Sequence, residues 1–311
     1  MNLAVIIATR NRPKQLNNLI RSLSDSKTRI SQVIIISSGL NVSTIVNHYQ
    51  ELLPLTHFHS EIAGQMFQKI KGIQLISADI DWVMFLDDDV VIWNDAIDTL
   101  INDYLKDSKY KDVGGFGLNL TNMRMRKDIK ILNKVLKLIG LHSDTPGVVL
   151  KNGHVQKYLN SKTDVYTQWL NGLSVWRFDL LKNYNPKFSR IDYAAYEDVF
   201  FSYKVSKQCR LLFAAQVYAH NQNSENYIPL TSSQFKAGAY MRFLFVVENK
   251  ELSTILMIIT HFFRTLDFIR CGDPSRSIFY RTKYSVKILS DLVFATTTKA
   301  EPLQLLTKRY N

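Results

Sequence analysis

Three consecutive carboxylates, Asp87, Asp88 and Asp89, follow an apolar run from Trp82 to Leu86 in a chain of 311 residues. Adjacent acids repel one another, and a cation neutralises that repulsion; hard oxygen ligands at such a place suit Mg²⁺ or Mn²⁺. Alternate side chains of an extended segment share a face, so Asp87 and Asp89 are expected at one site and Asp88 elsewhere. A solvated acidic turn is the plain alternative. A second acid pair, Glu197 and Asp198, opens a helical stretch, where the macrodipole favours negative charge and capping alone accounts for it. His220 closes the strand-like run 209–219; neutral imidazole is compatible with Mn²⁺, and a structural histidine is the alternative.

These groups need elements to position them. Leu3 to Ala8 reads as a strand, stopped by Thr9-Arg10-Asn11-Arg12-Pro13, and the run from Gln15 has helical spacing through Leu16, Leu19, Ile20 and Leu23. A second strand over 32–36 ends in Ser37-Ser38-Gly39, with a helix expected over 42–53. Strand and helix in alternation predict a parallel sheet whose ligands lie beyond the carboxyl ends of the strands, so the first two loops share an edge with the aspartates. A dinucleotide-binding domain is the obvious competitor, but no glycine-rich turn follows the first strand. An amphipathic helix over 64–77 runs towards the aspartate strand; its Lys69 can reach a diphosphate there or stay solvated.

ATRNRP, the segment from Gly64 to Gly72 and FLDDD together resemble the nucleotide-sugar half of glycosyltransferase family 2. The resemblance implies an α/β GT-A fold, a mostly parallel central sheet flanked by helices, and inverting transfer from a nucleotide diphospho-sugar. It makes Asp87 and Asp89 a DxD motif for Mn²⁺ or Mg²⁺, with Asp89 the direct ligand, Asp87 nearer the ribose and His220 a further ligand or diphosphate contact. Thr9 and Arg12 then line the nucleoside pocket, with Ser38, Lys69 and Asp88 also on the donor side. Trp169, Asn171 and Gly172 shape the sugar pocket, where Trp169 either faces the sugar ring or belongs to the core. Asp198 becomes the base that deprotonates the acceptor, with Glu197 orienting it. Ser37 and Ser38 stand where many relatives carry an acid or amide, and Lys69-Ile70 replaces an Arg-Asn pair, so the donor's base stays open. A nucleotidyltransferase, or a non-catalytic nucleotide-sugar or nucleic-acid binder at a membrane, are the alternatives.

Hydrophobic residues make up 46% of the chain, enough for a substantial core, and net charge is +12, which attracts an anionic partner. No zinc-finger or RNA-binding signature favours nucleic acid. Two cysteines without metal spacing fit a reducing compartment, and the start MNLAVIIATRNR reads as neither signal peptide nor spanning helix, so a cytoplasmic protein is expected. The catalytic domain is expected over 1–229, divided near residue 120 into nucleotide-sugar and acceptor halves, with a basic helical region over 230–311. A basic amphipathic helix over 124–141, an interrupted apolar helix over 252–269 and another over 280–294 suit an anionic membrane surface, the inner face of the cell membrane included, or a homo-oligomer interface. The expected acceptor is a glycan or lipid-linked molecule in cell-surface polysaccharide synthesis.

Overall fold

The structure, a computed structural model, describes residues 1–122, 137, 142–158, 161–188, 195–222 and 229–298. The chain divides into two compact units: 1–125 with 158–192 and 201–226, and 126–157 with 193–200 and 227–311.

The first unit begins with three strand-helix pairs: β1 (Leu3–Arg10), α1 (Pro13–Ser24), β2 (Gln32–Ser38), α2 (Ser43–Tyr49), β3 (Leu55–Ser60) and α3 (Gln65–Gln74). Helix α1 takes Pro13 in its first turn, where a missing N–H costs nothing, and buries Leu16, Leu19, Ile20 and Leu23 against the sheet. Next come β4 (Trp82–Asp87), β5 (Val90–Ile92), α4 (Ala96–Thr99) and β6 (Val113–Thr121). The unit is completed by β7 (Val165–Thr167), β8 (Ser174–Arg177), α5 (Phe178–Leu181), most of α6 (Glu197–Ser206) and β9 (Arg210–Asn221). The strands form one sheet in the order β3-β2-β1-β4-β8-β6-β9-β5, with β7 also on β9. Its core is Val, Ile and Leu from β1, β2 and β4 under α1, continued by Phe116, Leu118, Val175 and Leu212.

The sheet is mostly parallel, as expected: β1, β2, β3 and β4 run parallel and β6 runs parallel to β9, while β8 pairs antiparallel with both β4 and β6. After Asp95 the chain makes one α turn, α4, that widens into a π-helical turn, Leu100–Leu105, burying Leu100, Ile101, Tyr104 and Leu105. Strand β3 has no apolar run to announce it, because it is an edge strand with exposed Phe58 and His59.

In the second unit, α7 (Ser232–Glu248) starts from a capping box between Thr231 and Gln234. Helix α8 (Thr254–Cys271) is capped by Ser253, ends at Gly272, and is followed by α9 (Ile278–Thr298). Phe235 of α7 stacks on Phe268 of α8, ring centroids 4.1 Å apart. The expected boundary helices of this region are present, whereas the basic helix over 124–141 lies, but for Lys137, outside the described residues. Among the described residues no helix is long and apolar enough to cross a membrane. The turn-rich stretch 144–153 doubles back through a Val149–Val155 bridge and a bond from the Leu150 amide to the His154 carbonyl.

Candidate functional site

Parallel pairing sets the site. Ala8 lies beside Asp87 across β1 and β4, while Thr9 and Arg10 lie beside Ser37 and Ser38 across β1 and β2, so the loops after all three strands leave the same sheet edge. The three aspartates diverge there. Asp87 accepts a 2.7 Å hydrogen bond from Gln65 Nε2 at the start of α3. Asp88 is only 5% exposed and accepts from Thr9 Oγ1 at 2.7 Å and Arg12 Nη1 at 3.0 Å. Asp89 stays partly open to solvent and meets the same Arg12 nitrogen at 3.2 Å.

Burial raises the Asp88 carboxyl above the usual range, with the Thr9 hydroxyl and Arg12 acting against it. Burial also works against the Arg12 charge, but Asp88 and then Asp89 outweigh it and raise the guanidinium further. Thr9 and Arg12 therefore brace the acidic turn, a role that lining a nucleoside pocket does not require. Asn11 completes the brace: its left-handed backbone, φ 57°, aims Oδ1 at the Leu40 amide, 2.9 Å away, against Gly39.

A second group closes on Asp87 from the loop before β8. A Cβ built on Gly172 would stand 3.4 Å from Asp87 Oδ2 and 3.8 Å from Lys69 Nζ, so these three residues meet. Lys69 is buried, with its ammonium 5.7 Å from the Phe85 ring centroid, and is no solvated helix lysine. Next to Gly172, Asn171 Oδ1 is buried without a hydrogen-bond partner, an acceptor left for a ligand to satisfy. Gln68, 3% exposed, ties the edge together by donating to the Thr9 and Ile36 carbonyls, and approaches Ser38 Oγ at 3.4 Å. Trp169 takes the core alternative: it is buried and packs on Tyr158 at 4.8 Å, with no open face for a sugar.

Glu197 and Asp198 occupy the first turn of α6, in the part assigned to the second unit. Tyr196, at φ 75°, enters that turn through the left-handed region, strained for a tyrosine, and donates its hydroxyl to the Gly153 carbonyl at 2.9 Å. Phe200 packs on Phe245 of α7, so the acids are anchored on both sides within their own unit. Asp198 Oδ1 accepts from the Val199 amide at 2.8 Å. At the end of β9, His220 has Nδ1 3.3 Å from Thr121 Oγ1 and Nε2 3.0 Å from Asn122 Nδ2.

Asp87 and Asp89 offer the hard carboxylate donors that a divalent cation takes. Among the described residues, however, no three His, Cys, Asp or Glu side chains are grouped to hold a metal, so the expected set of Asp87, Asp89 and His220 is not assembled. A surface cavity of about 690 Å³ lies at the opposite end of the sheet, where β6 and β9 begin, and is lined by Asp112, Tyr166, Arg177 and Arg210 among others; it holds none of the expected site residues.

Gln65, Gln68 and Gln222 are site residues that sequence reasoning misses. Gln222 steadies the acidic turn from β9: its amide donates to the Asp89 carbonyl at 2.8 Å and its side chain to the Val90 carbonyl at 3.1 Å. Nothing in a lone glutamine signals such a role, although Gln65 and Gln68 sit one helical turn apart on a helix that leads to the aspartates.

Residues 4–150 match the family model described as glycosyl transferase family 2. No curated protein matches the chain. Among solved structures, residues 1–349 of S. aureus TarS in complex with UDP-GlcNAc share 16% identity at a TM-score of 0.56, over 95% of this chain and 81% of that one. The mannosyltransferase PcManGT from Pyrobaculum calidifontis, in complex with GDP-Man and Mn²⁺, shares 14% at 0.54, over 98% and 78%. The longer TarS structure shares 16% at 0.53, and there the chain spans 44% of its length. These likenesses are of fold, and the fold is GT-A.

Proposed function

From the match of residues 4–150 to glycosyl transferase family 2 we propose that the chain is a glycosyltransferase that moves a sugar, with inversion, from a nucleoside diphosphate to a hydroxyl of a glycan or lipid-linked acceptor, in cell-surface polysaccharide synthesis. The observation that carries this reading is the gathering of Asp87, Lys69 and Gly172 beside an acidic turn braced by Thr9 and Arg12.

Each group then has a task. Lys69 offers a positive charge to the diphosphate, and Asn171 Oδ1 accepts from a donor hydroxyl, which ends its isolation. Asp89 and Asp87 would hold a divalent cation, which would supply Lewis-acid neutralisation of the charge on the diphosphate leaving group. Asp198 takes the proton of the acceptor hydroxyl as that oxygen bonds to the anomeric carbon and the bond to the diphosphate breaks, while Glu197 orients the acceptor. The role of Asp198 rests on the resemblance of its segment to the family's acceptor side. The UDP-GlcNAc and GDP-Man complexes of the fold relatives make both bases reasonable first donors.

The test is release of nucleoside diphosphate from a panel of UDP-, GDP- and TDP-sugars with Mn²⁺, for wild type, Asp89→Ala and Asp198→Ala. Asp89→Ala is expected to cut hydrolysis on the order of 10²–10³-fold. Asp198→Ala is expected to cut transfer on the order of 10²–10⁴-fold and to leave donor affinity in place, read by thermal shift. No release from any donor, by a folded wild type, overturns the reading.

A further inference from the structure

Helices α8 and α9 expose more large apolar side chains than a free surface explains. On α8, Ile255, Ile259, Phe262, Phe263 and Leu266 are 67, 43, 47, 55 and 50% exposed. Their spacing of i, i+4, i+7, i+8 and i+11 places them in one stripe. The buried residues of the same helix, Met257, His261, Thr265 and Phe268, fall on its other side. Helix α9 repeats the arrangement: Ser285, Ile288, Leu292 and Ala295 are buried, while Phe279, Val286 and Val293, seven residues apart, are 78, 50 and 43% exposed. Each helix thus has one apolar face inside and a second facing out, and scattered single residues do not produce two such stripes.

Charge identifies what covers them. Lys283 and Lys287 flank the outer stripe of α9, and Arg270 extends that of α8; all three are exposed. Each helix contains one acid: Asp291 accepts from the Tyr240 hydroxyl at 2.9 Å, and Asp267 is 3.6 Å from Arg270. Residues 230–311 hold twelve Lys and Arg against six Asp and Glu, within a chain of net charge +12. A second copy would bring the same positive charge to the same face. A nucleic acid would match the charge and leave these eight apolar side chains in water.

We propose that the outer faces of α8 and α9 are an interfacial membrane-binding surface that takes anionic lipid, with Phe262, Phe263 and Phe279 entering the acyl boundary and Arg270, Lys283 and Lys287 meeting the headgroups. No spanning helix is needed, since both helices lie along the surface. The surface also brings the enzyme to a lipid-linked acceptor, and that clause alone rests on the glycosyl-transfer reading.

The experiment is co-sedimentation of the full chain, without donor, with vesicles of phosphatidylglycerol and phosphatidylcholine in equal parts and with phosphatidylcholine alone. Binding to the mixed vesicles that weakens with salt, and little binding to the neutral ones, is expected. The pair Phe263→Ser and Phe279→Ser, and separately Lys283→Glu with Lys287→Glu, should each weaken binding by roughly tenfold or more. These side chains are exposed, so the thermal midpoint and the donor hydrolysis of both variants should match wild type. No binding to the mixed vesicles, or binding that neither pair weakens, overturns the proposal. So does sedimentation equilibrium that shows an oligomer dispersed by the serine pair without vesicle binding, which assigns the faces to a second copy. Failure here leaves donor hydrolysis intact, and failure of hydrolysis leaves vesicle binding intact.

Discussion

Asp88 in the first unit and Arg242 in the second are almost sealed from water, at 5% and 1% exposure, yet their charges are held by different means. Asp88 has a hydroxyl from the end of β1 and a guanidinium from the loop that follows it. Arg242 has imidazoles. Its Nη1 meets a His154 nitrogen, its Nη2 lies 3.4 Å from His261 Nδ1, and its Nε has no partner. Burial, then Arg264, pulls the guanidinium down to about 9, while burial and Arg242 hold His261 neutral, at about 2. The acid is held by an opposite charge, and the cation survives because two histidines stay uncharged. The acid belongs to the sheet edge where the loops after β1, β2 and β4 leave. The cation belongs to a helical packing core, where its stem fills space between α7 and the Gly153 turn.

That difference predicts which substitutions are tolerated. Arg242→Ala leaves a cavity beside Gly153 and should cost about 3 kcal/mol in urea unfolding. Arg242→Met refills the volume and removes a charge that burial penalises, so its cost should be about 1 kcal/mol or less. If methionine costs as much as alanine, the imidazole bonds and not the volume hold the second unit together, and the contrast with Asp88 collapses.

The two charges also differ in how far the sequence announces them. Continuous apolar runs mark β1, β2 and β4, but the alternation of an extended chain, which groups Asp87 with Asp89, stops at the turn: one Arg12 nitrogen meets both Asp88 and Asp89, while Asp87 turns to Gln65. The sequence does not reveal that Thr9 and Arg12 turn to Asp88, because that needs the register of β1 against β4. Gln65 and Gln68 look like the solvent face of an amphipathic helix, yet the second is buried between two carbonyls. Arg242 has a visible signal, a lone cation inside AYMRFLFVV, but its partners lie 88 and 19 residues away and no local pattern names them. Trp169 shows the limit from the other side: a tryptophan beside a glycine reads equally well as pocket or core, and only its burial decides.

Removing the cation from the acid should sharpen the contrast. Arg12→Ala leaves Asp88 buried with the Thr9 hydroxyl alone, at a cost of about 2 kcal/mol at pH 7, less than for a sealed pair because Arg12 itself is half exposed. The pH dependence has a definite sign. Burial already raises the Asp88 carboxyl, Arg12 opposes that rise, and its loss raises the group further. A carboxyl that holds its proton more tightly when folded favours the folded state as pH falls, so the deficit of Arg12→Ala should shrink between pH 7 and pH 5. Urea unfolding at the two pH values checks it; a constant deficit would mean that Arg12 acts through packing and not through Asp88.

Asp273 gives the smallest and cleanest test, since it is an acid in the unit where the comparison finds a buried cation. It joins the turn after α8 to the start of α7, accepting from the Ser232 amide at 2.8 Å and hydroxyl at 2.5 Å, and from the Ser275 hydroxyl at 2.6 Å. Burial raises this carboxyl, but the Ser232 and Ser275 bonds outweigh it and bring the group down to about 2. Neutral donors aimed at an anion therefore do for Asp273 what Arg12 does for Asp88, at the N-terminus of a helix whose dipole favours the charge. Asp273→Asn keeps the shape and loses the charge, and should cost about 1 kcal/mol at pH 7. Because the folded value is depressed, the wild-type advantage is complete above the unfolded value of about 3.9 and fades as pH falls towards 2. Denaturant unfolding of both proteins at pH 6 and pH 3 should show the gap narrowing, opposite in direction to a group whose folded value is raised; a gap that is equal at both pH values would leave shape, and not charge, as what the Asp273 turn supplies.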